Sequence, residues 1–563
     1  MVETPLEATR IIGLLTSRLG PALLGAEQPH ADTVRCDVEP HAVRDAAAVL
    51  GHEVGARFLI TVGMDERPLG RGYAIVHLFS LDPAHLFIAL YCTVDPAVAR
   101  LPSITPVIPA AGWAEREFRD VIGVEPEGHP DPRRLVVPDD WPAGTYPLRR
   151  DVRYDFRPPP APDQRPPFAE APAGASVIPM GPFYPVLEEP AYWRLFVEGE
   201  TIVGCDYRGF YNHRAIEKLG DSVMTYDKLP FLAERICGIC GFIHSTCSCQ
   251  ALEQAAGIEV PPRARYIRTV MLELERIHSH LLWLGIAGHI LGFDTVLMQS
   301  WRIREPVMWL SEEISGNRKT YGMNCVGGVR RDVGAGLAGK LRVTLDPVER
   351  EVAAVRAAIA GDTVLHARTK GVGMLTREAA QRVAVVGPPA RASGWAIDAR
   401  VDHPYAAYGD VPPRVPVYPE GDVWARVLVR LDELEDSIRI IRAALGDLPT
   451  GPIRADITHE IPAGRTGISV VEAPRGEAVH FVMTGADNRA YRWRVRAPTY
   501  PNLQAVPVMV TGGMLADVPI TIGSLDPCFS CTERVEAVDV TSGAVRVYTQ
   551  DELARLGTGG GGA

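Results

Sequence analysis

Apolar residues recur at helical spacing in "ATRIIGLLTSRLG" (8–20), which predicts a short helix near the start of the chain. Three apolar runs follow: "RFLITVGMD" (57–65), "YAIVHLFSL" (73–81) and "HLFIALYCTV" (85–94). Their β-branched and aromatic content predicts strands, and an α+β domain is the expectation for this part. "WRLFVEGETIVGCDYR" (193–208) alternates about Gly199 and predicts a hairpin. Beyond it the period changes. Residues 264–291 and 422–445 carry apolar positions every three or four residues, and the second stretch keeps Glu and Arg on its outer face. The most apolar stretch, "LLWLGIAGHILGF" (281–293), is broken by His289 and by glycines. It falls short of the roughly 18–20 residues of a membrane-spanning helix and reads as a buried one. No internal repeat is visible.

Residues 157–173, "RPPPAPDQRPPFAEAPA", contain seven prolines. No core element tolerates that density, so the segment reads as an extended linker between two domains. The total of 563 residues agrees with more than one core. A net charge of −11 argues against nucleic acid or an anionic membrane surface as the main partner. The N-terminus has neither the basic nor the apolar region of a secretory signal, so a cytoplasmic protein is expected.

Ten cysteines are too few for a disulfide scaffold. Cys36, Cys92, Cys205 and Cys325 stand alone and read as small buried hydrophobes; Cys247 and Cys249 read as packing residues. Two CxxC pairs differ. Cys237 and Cys240 lie in "ERICGIC" (234–240), and Cys528 and Cys531 in "DPCFSC" (526–531). The pairs are far apart along the chain, so a whole domain must fold to bring them together. Four thiolates suit zinc, iron or nickel, and spacing alone does not choose. Two unrelated pairs and a long-range structural zinc site stay open at this point.

The neighbouring residues narrow the choice. "ERICGICGFIH" (234–244) and "DPCFSC" together resemble the two signature motifs of NiFe-hydrogenase large subunits. "EREFRDVIGVEPEGHPDPRRLVVPDDW" (115–141) resembles the 30 kDa subunit of respiratory complex I. "HRAIEKLG" (213–220), "LELERIHSHLLWLG" (272–285) and "GGVRRDV" (327–333) resemble its 49 kDa subunit. A fusion of the two that keeps four cysteines is similar to group 4, energy-converting NiFe hydrogenases of the formate hydrogenlyase type.

The resemblance implies an α+β, 30 kDa-like docking domain over 1–156 and a Pro-rich linker over 157–176. A mainly α-helical catalytic domain with a small N-terminal β portion would span 177–534, and a C-terminal extension 535–563. It also implies a Ni–Fe centre whose iron carries two cyanides and one carbon monoxide. Cys237 and Cys528 would be terminal nickel ligands; Cys240 and Cys531 would bridge. Cys528 doubles as the base for heterolytic H2 chemistry. Arg475 in "EAPRG" (472–476) matches the arginine over the open metal face, and Pro474 and Asp526 match its surroundings. Glu189 stands at the proton-relay glutamate of "GPFYPVLEEP" (181–190), beside Glu188; Tyr184 replaces the usual His there. His244 is expected beside a bridging thiolate. Arg235 is expected to help neutralise thiolate charge. His278-Ser279-His280 replaces His-Asp-His, so a carboxylate is missing from the canopy. At least one of the two histidines reads as packing.

The last motif position is Arg534, for which an ion pair with Glu217 is expected. Removal of the tail after Arg534 follows from the same resemblance. No cysteine cluster remains for an iron–sulfur wire. The implied partners are therefore a small subunit with a [4Fe–4S] cluster, further iron–sulfur and membrane ion-translocating subunits, and maturation proteins. The chain would sit on the inner face of the cell membrane through them. The competing expectations are a complex I-like quinone-module subunit without nickel, and a scaffold with zinc across the two pairs.

Overall fold

The computed structural model describes residues 4–137, 141–156, 168–181, 191–210, 213–457, 461–529, 536–538 and 545–547. Helix α1 (Thr4–Leu19) starts earlier than its apolar pattern suggests. It leads into a five-stranded sheet of β1 (Leu23–His30), β2 (Thr33–Val38), β3 (Arg57–Glu66), β4 (Gly72–Leu81) and β5 (Leu86–Val94). Their order is β1-β2-β5-β4-β3, with β2 and β5 parallel and the other neighbours antiparallel. Helix α2 (Gly112–Ile122) packs on β3. Every residue of β3 and β4 is buried, which explains why these strands read as unbroken apolar runs.

The predicted hairpin is present as β7 (Tyr192–Glu198) and β8 (Thr201–Arg208), with Gly199 in the left-handed region at the turn. Strand β6 (Ser176–Met180) pairs with β7 and opens at the last residue of the expected linker. Helix α3 (Ile216–Ser222) follows. The helical core is α4 (Gly241–Ala256), α5 (Pro262–Ile290), α6 (Asp294–Ser315), α7 (Ala335–Ala360) and α8 (Val423–Gly446). Helix α5 packs against both α6 and α8, and its row Ile267, Val270, Leu274, Ile277, Leu281 and Leu284 is buried. The Asp422 carboxylate accepts the Ala425 N–H and starts α8. No helix among the described residues is long and apolar enough to cross a membrane.

A second sheet is an addition to the expected helical domain. Strands β9 (Thr466–Ala473), β10 (Gly476–Thr484) and β11 (Ala490–Arg496) form an antiparallel meander. Strand β10 is buried throughout and β9 nearly so, because α4 covers the pair. No alternation survives in such strands, so periodicity does not announce them.

This sheet joins the domains. Arg492, Arg494 and Arg496 project from one face of β11 at the two-residue period of a strand. Their Nε–H groups donate to the carbonyls of Gly63, Thr61 and Leu59 on β3, at 2.9, 3.2 and 3.3 Å. Those carbonyls sit on the edge strand of the first sheet, which would otherwise lack partners. One apolar core runs through the seam, from Val62, Phe79 and Phe118 to Ile468, Val479 and Phe481. Charges in the seam are paired. Arg57 donates to both Asp82 and Glu477, and Arg492 and Arg494 both reach Glu217.

Cys36, Cys92, Cys247, Cys249 and Cys325 are buried as expected, whereas Cys205 is only half-buried in the middle of β8. Burial pushes the Cys36, Cys92 and Cys247 thiols up to about 12, which makes them inert.

Candidate metal centre

Cys237 and Cys240 occupy the turn that enters α4, with Cys240 at its N-cap. The cap is supplied from elsewhere. Glu275 on α5 accepts the N–H groups of Phe242 and Ile243, each at 3.0 Å, and the Thr320 hydroxyl at 2.8 Å. The first helical amides are therefore satisfied without the Cys240 sulfur. Cys237 Sγ accepts the N–H groups of Ile239 (3.4 Å) and Cys240 (3.2 Å).

Cys528 arrives from the far end of the domain. Its Sγ lies 3.4 Å from Cys237 Sγ, and its N–H donates to Thr499 Oγ1 at 3.1 Å. The relative exposures of Cys237, Cys240 and Cys528 are 2%, 2% and 8%. Hydrogen bonds from Cys240 and Cys528 hold the Cys237 thiol well below its ordinary pKa, with help from Arg475. Cys237 in turn pushes Cys240 up. These three thiols do not close a cage by themselves among the described residues. Cys531, the fourth expected ligand, lies outside the described residues, as do Tyr184, Glu188, Glu189 and Arg534.

Arg475 lies directly against this cluster. It and Pro474 form the two-residue turn between β9 and β10, and both are buried. Its Nε donates to the Asp526 carbonyl (2.7 Å) and one terminal nitrogen to the Asp526 carboxylate (2.8 Å). The other terminal nitrogen reaches Cys240 Sγ and Ser279 Oγ, both at 3.2 Å. Ser279, at the position where the carboxylate is missing, still serves the arginine, and Asp526 supplies the negative charge. Asp526 adopts φ 54°, which lets its carbonyl and carboxylate both face the guanidinium.

The turn is clamped from below. Asn502 Nδ2 donates to the carbonyls of Arg475 and Val386, each at 3.2 Å, and its Oδ1 accepts the Val386 N–H. Gly387 and Gly476 let the two backbones meet: a Cβ on Gly387 would lie 2.4 Å from Gly476 Cα.

The histidines divide. His244 is buried, and its Nδ1 lies 3.2 Å from His480 Nε2. His278 takes Arg304 on Nδ1 and reaches the Ile239 carbonyl through Nε2, which ties α5 to the CxxC turn. His280 points to Glu433 on α8 at 2.7 Å. Arg235 is not the counter-charge of the thiols. It is half-exposed, pairs with Glu234 at 2.8 Å and lies over the Tyr321 ring. Glu217 takes Arg492 at 2.6 Å and Arg494 at 2.8 Å. A cavity of about 100 Å³ runs from Cys528 and Thr499 to Trp113 and Glu117 of the first domain.

Sequence reasoning did not single out Glu275, Thr499, Asn502 or His480. Glu275 left a signal: a carboxylate among the apolar positions of a helix, where it must find donors. The other three are contacts made only by distant parts of the chain.

The donor set fits a soft metal centre. The described thiols are buried, sulfur-only and faced by a fixed cation. Comparison with known proteins agrees. Residues 36–157 match the family of the 30 Kd subunit of respiratory-chain NADH dehydrogenase, and 291–468 and 457–534 match that of its 49 Kd subunit. Residues 220–295, which hold the first CxxC pair, match the nickel-dependent hydrogenases. The chain is 41% identical to formate hydrogenlyase subunit 5 of Escherichia coli (strain K12), over 95% of this chain and 96% of the relative. It is 40% identical to hydrogenase-4 component G of the same organism, over 97% and 96%. A chain from the solved membrane-bound sulfane sulfur reductase, an archaeal respiratory membrane complex, superposes with a TM-score of 0.61 at 28% identity, over 65% of this chain and all of that one. The chain, which joins 30 kDa-like and 49 kDa-like parts of complex I in one polypeptide, belongs to the group 4 NiFe-hydrogenase large subunits and is an oxidoreductase acting on hydrogen.

Proposed function

We propose that Cys237, Cys240, Cys528 and Cys531 hold a nickel–iron centre at which protons and electrons are combined to H2. The observation that carries this reading is the meeting of thiols from both CxxC motifs, Cys237 and Cys528 at 3.4 Å, under the Arg475 guanidinium. When bound, the centre supplies redox-active nickel beside an iron with cyanide and carbon monoxide ligands. Cys528 would hold the metal and, as a thiolate, carry the reacting proton. Arg475 holds fixed positive charge against the sulfurs and has little freedom to move, because Asp526 and Ser279 orient it. Pro474 shapes the turn that aims it, and His244 sits behind the first cysteine pair. Glu189 passes the proton onward. Glu189→Gln stops H2 turnover with normal metal content; full activity removes it from the path.

Electrons enter from a separate small subunit with a [4Fe–4S] cluster, and further iron–sulfur and ion-translocating subunits tie the chain to the inner face of the membrane. The names of its relatives, and the respiratory membrane complex of its structural neighbour, support that assembly and formate or another low-potential donor. Maturation proteins insert the metals, and the extension after Arg534 is removed; the mass of the mature chain tests the cut.

The deciding experiment uses the full chain made with its maturation system. Metal content is read by mass spectrometry, and the cyanide and carbonyl region by infrared spectroscopy. One nickel and one iron per chain with those bands, lost in Cys528→Ser, support the reading. Zinc or no metal, with no bands, overturns it in favour of the quinone-module reading that the two complex I family matches leave as the alternative.

A further inference from the structure

His480 and Trp493 lie outside the thiol cluster, yet they make a directed chain with His244. Trp493 Nε1 donates to His480 Nδ1 at 3.2 Å. His480 Nε2 lies 3.2 Å from His244 Nδ1. The exposures of Trp493, His480 and His244 are 0%, 0% and 1%, so no water competes. An indole N–H can only donate. His480 Nδ1 must therefore be the acceptor, which leaves the proton of a neutral ring on Nε2. That proton points at His244 Nδ1, which must accept in turn. The one proton of a neutral His244 is then on Nε2.

We propose that Trp493, acting through His480, fixes the tautomer of His244, so that His244 offers an Nε2–H donor beside the first cysteine pair. Trp493 and His480 are positioning residues; neither makes a hydrogen bond to the thiols of the cluster. Both rings must be neutral, because each accepts a hydrogen bond on Nδ1 and an imidazole protonated on both nitrogens accepts none. His244 touches the pair through its main chain, its N–H donating to the Cys240 carbonyl at 3.2 Å. The donor state matters because sulfur ligands are tuned by the hydrogen bonds they accept. The wiring also has a mechanical side. Trp493 sits between Arg492 and Arg494 on β11, and those arginines are bound to the first domain. The tautomer of a residue beside the centre is thus set by the strand that holds the two domains together.

The inference rests on the reading of Cys237 as a metal ligand, but its test reads protons and needs no metal. The full chain is labelled with 15N-histidine, and two-bond 1H–15N correlation spectra give the protonated nitrogen of each ring. Resonances are assigned with His244→Gln and His480→Gln. The expected result is Nε2–H for both rings in the wild type. In Trp493→Phe, which keeps one aromatic ring and removes the donor, both rings acquire Nδ1–H forms together. His244 with its proton on Nδ1 in the wild type overturns the proposal, as does an unchanged His244 in Trp493→Phe. Should Trp493→Phe fail to fold, a second pair decides. His480→Gln keeps an N–H donor to His244 and preserves its Nε2–H form, whereas His480→Phe does not. Equal His244 spectra in those two variants overturn the proposal.

Discussion

Arg494 and Glu117, separated by 377 residues in sequence, share two hydrogen bonds of 2.7 Å in the buried seam between the domains. The same guanidinium holds Glu217 at 2.8 Å, while its Nε is spent on the Thr61 carbonyl of β3. A fork of this kind binds a carboxylate with both direction and charge. The first domain is therefore built into the support of the thiol cluster, because β11 pairs with β10 and β10 begins at the Arg475 turn.

Arg494→Met tests that joint. It leaves Glu117 and Glu217 buried with part of their charge unmatched, although Tyr500 and Arg492 remain. Losing one partner of a buried pair costs about 3–5 kcal/mol, and that loss is expected in urea unfolding of the full chain. Arg494→Met with Glu117→Gln should recover part of it, since the second change removes one orphaned charge. An unchanged midpoint in the single variant means the pair bears no load.

Acid should open the same seam. Burial alone would raise the Glu217 carboxyl, but Arg492 and Arg494 outweigh it and bring the group down to about 2. Glu477 is likewise brought to about 2, against burial, by Arg57 and Arg496. Both folded values lie below the ordinary 4.5. Their contribution is therefore complete above about pH 4.5 and declines as pH falls toward 2. Hydrogen exchange of the β3 and β11 amides, followed down that range, should rise before exchange in α5 does. Uniform protection across the seam and α5 at each pH contradicts this.

Arg475→Lys keeps the charge and loses the fork. A single ammonium cannot serve Asp526, Ser279 and Cys240 in the geometry the guanidinium does. H2 turnover is expected to drop on the order of 10²-fold, with nickel and iron content unchanged, since the arginine is not a ligand. Activity within a factor of two of the parent removes Arg475 from the chemistry.

Gly387→Ala reaches the same turn from outside. Gly387 has φ +71°, and its Cβ would meet Gly476 Cα at 2.4 Å and the Arg475 carbonyl at 2.5 Å. Both contacts are backbone, so one chain must move. A stability loss of about 2 kcal/mol or more is expected, with reduced turnover from a displaced Arg475. Gly446→Ala is the control, because a Cβ there meets nothing within 4 Å. Equal effects of the two changes would mean that the close approach is not needed.

The sequence by itself determined the elements with a clear period and the chemistry with a clear motif. Helices α5 and α8, strands β3 to β5 and the β7–β8 hairpin follow from apolar spacing, because their side chains must all face one core. The cysteine motifs and "EAPRG" carry side chains whose chemistry is narrow enough to be read before any folding is considered. Only the tertiary structure decided who serves whom. The second sheet is buried on both faces and so shows no alternation. Ser279 and Asp526, 247 positions apart by subtraction of their numbers, share one guanidinium. Glu275 caps a helix it does not belong to, and Arg235, next to the cysteines in sequence, turns away to Glu234. These outcomes depend on which backbone groups and charges are left unsatisfied after distant segments pack. That is a property of the assembled interior, where an unmatched polar group costs more than any local preference can offset.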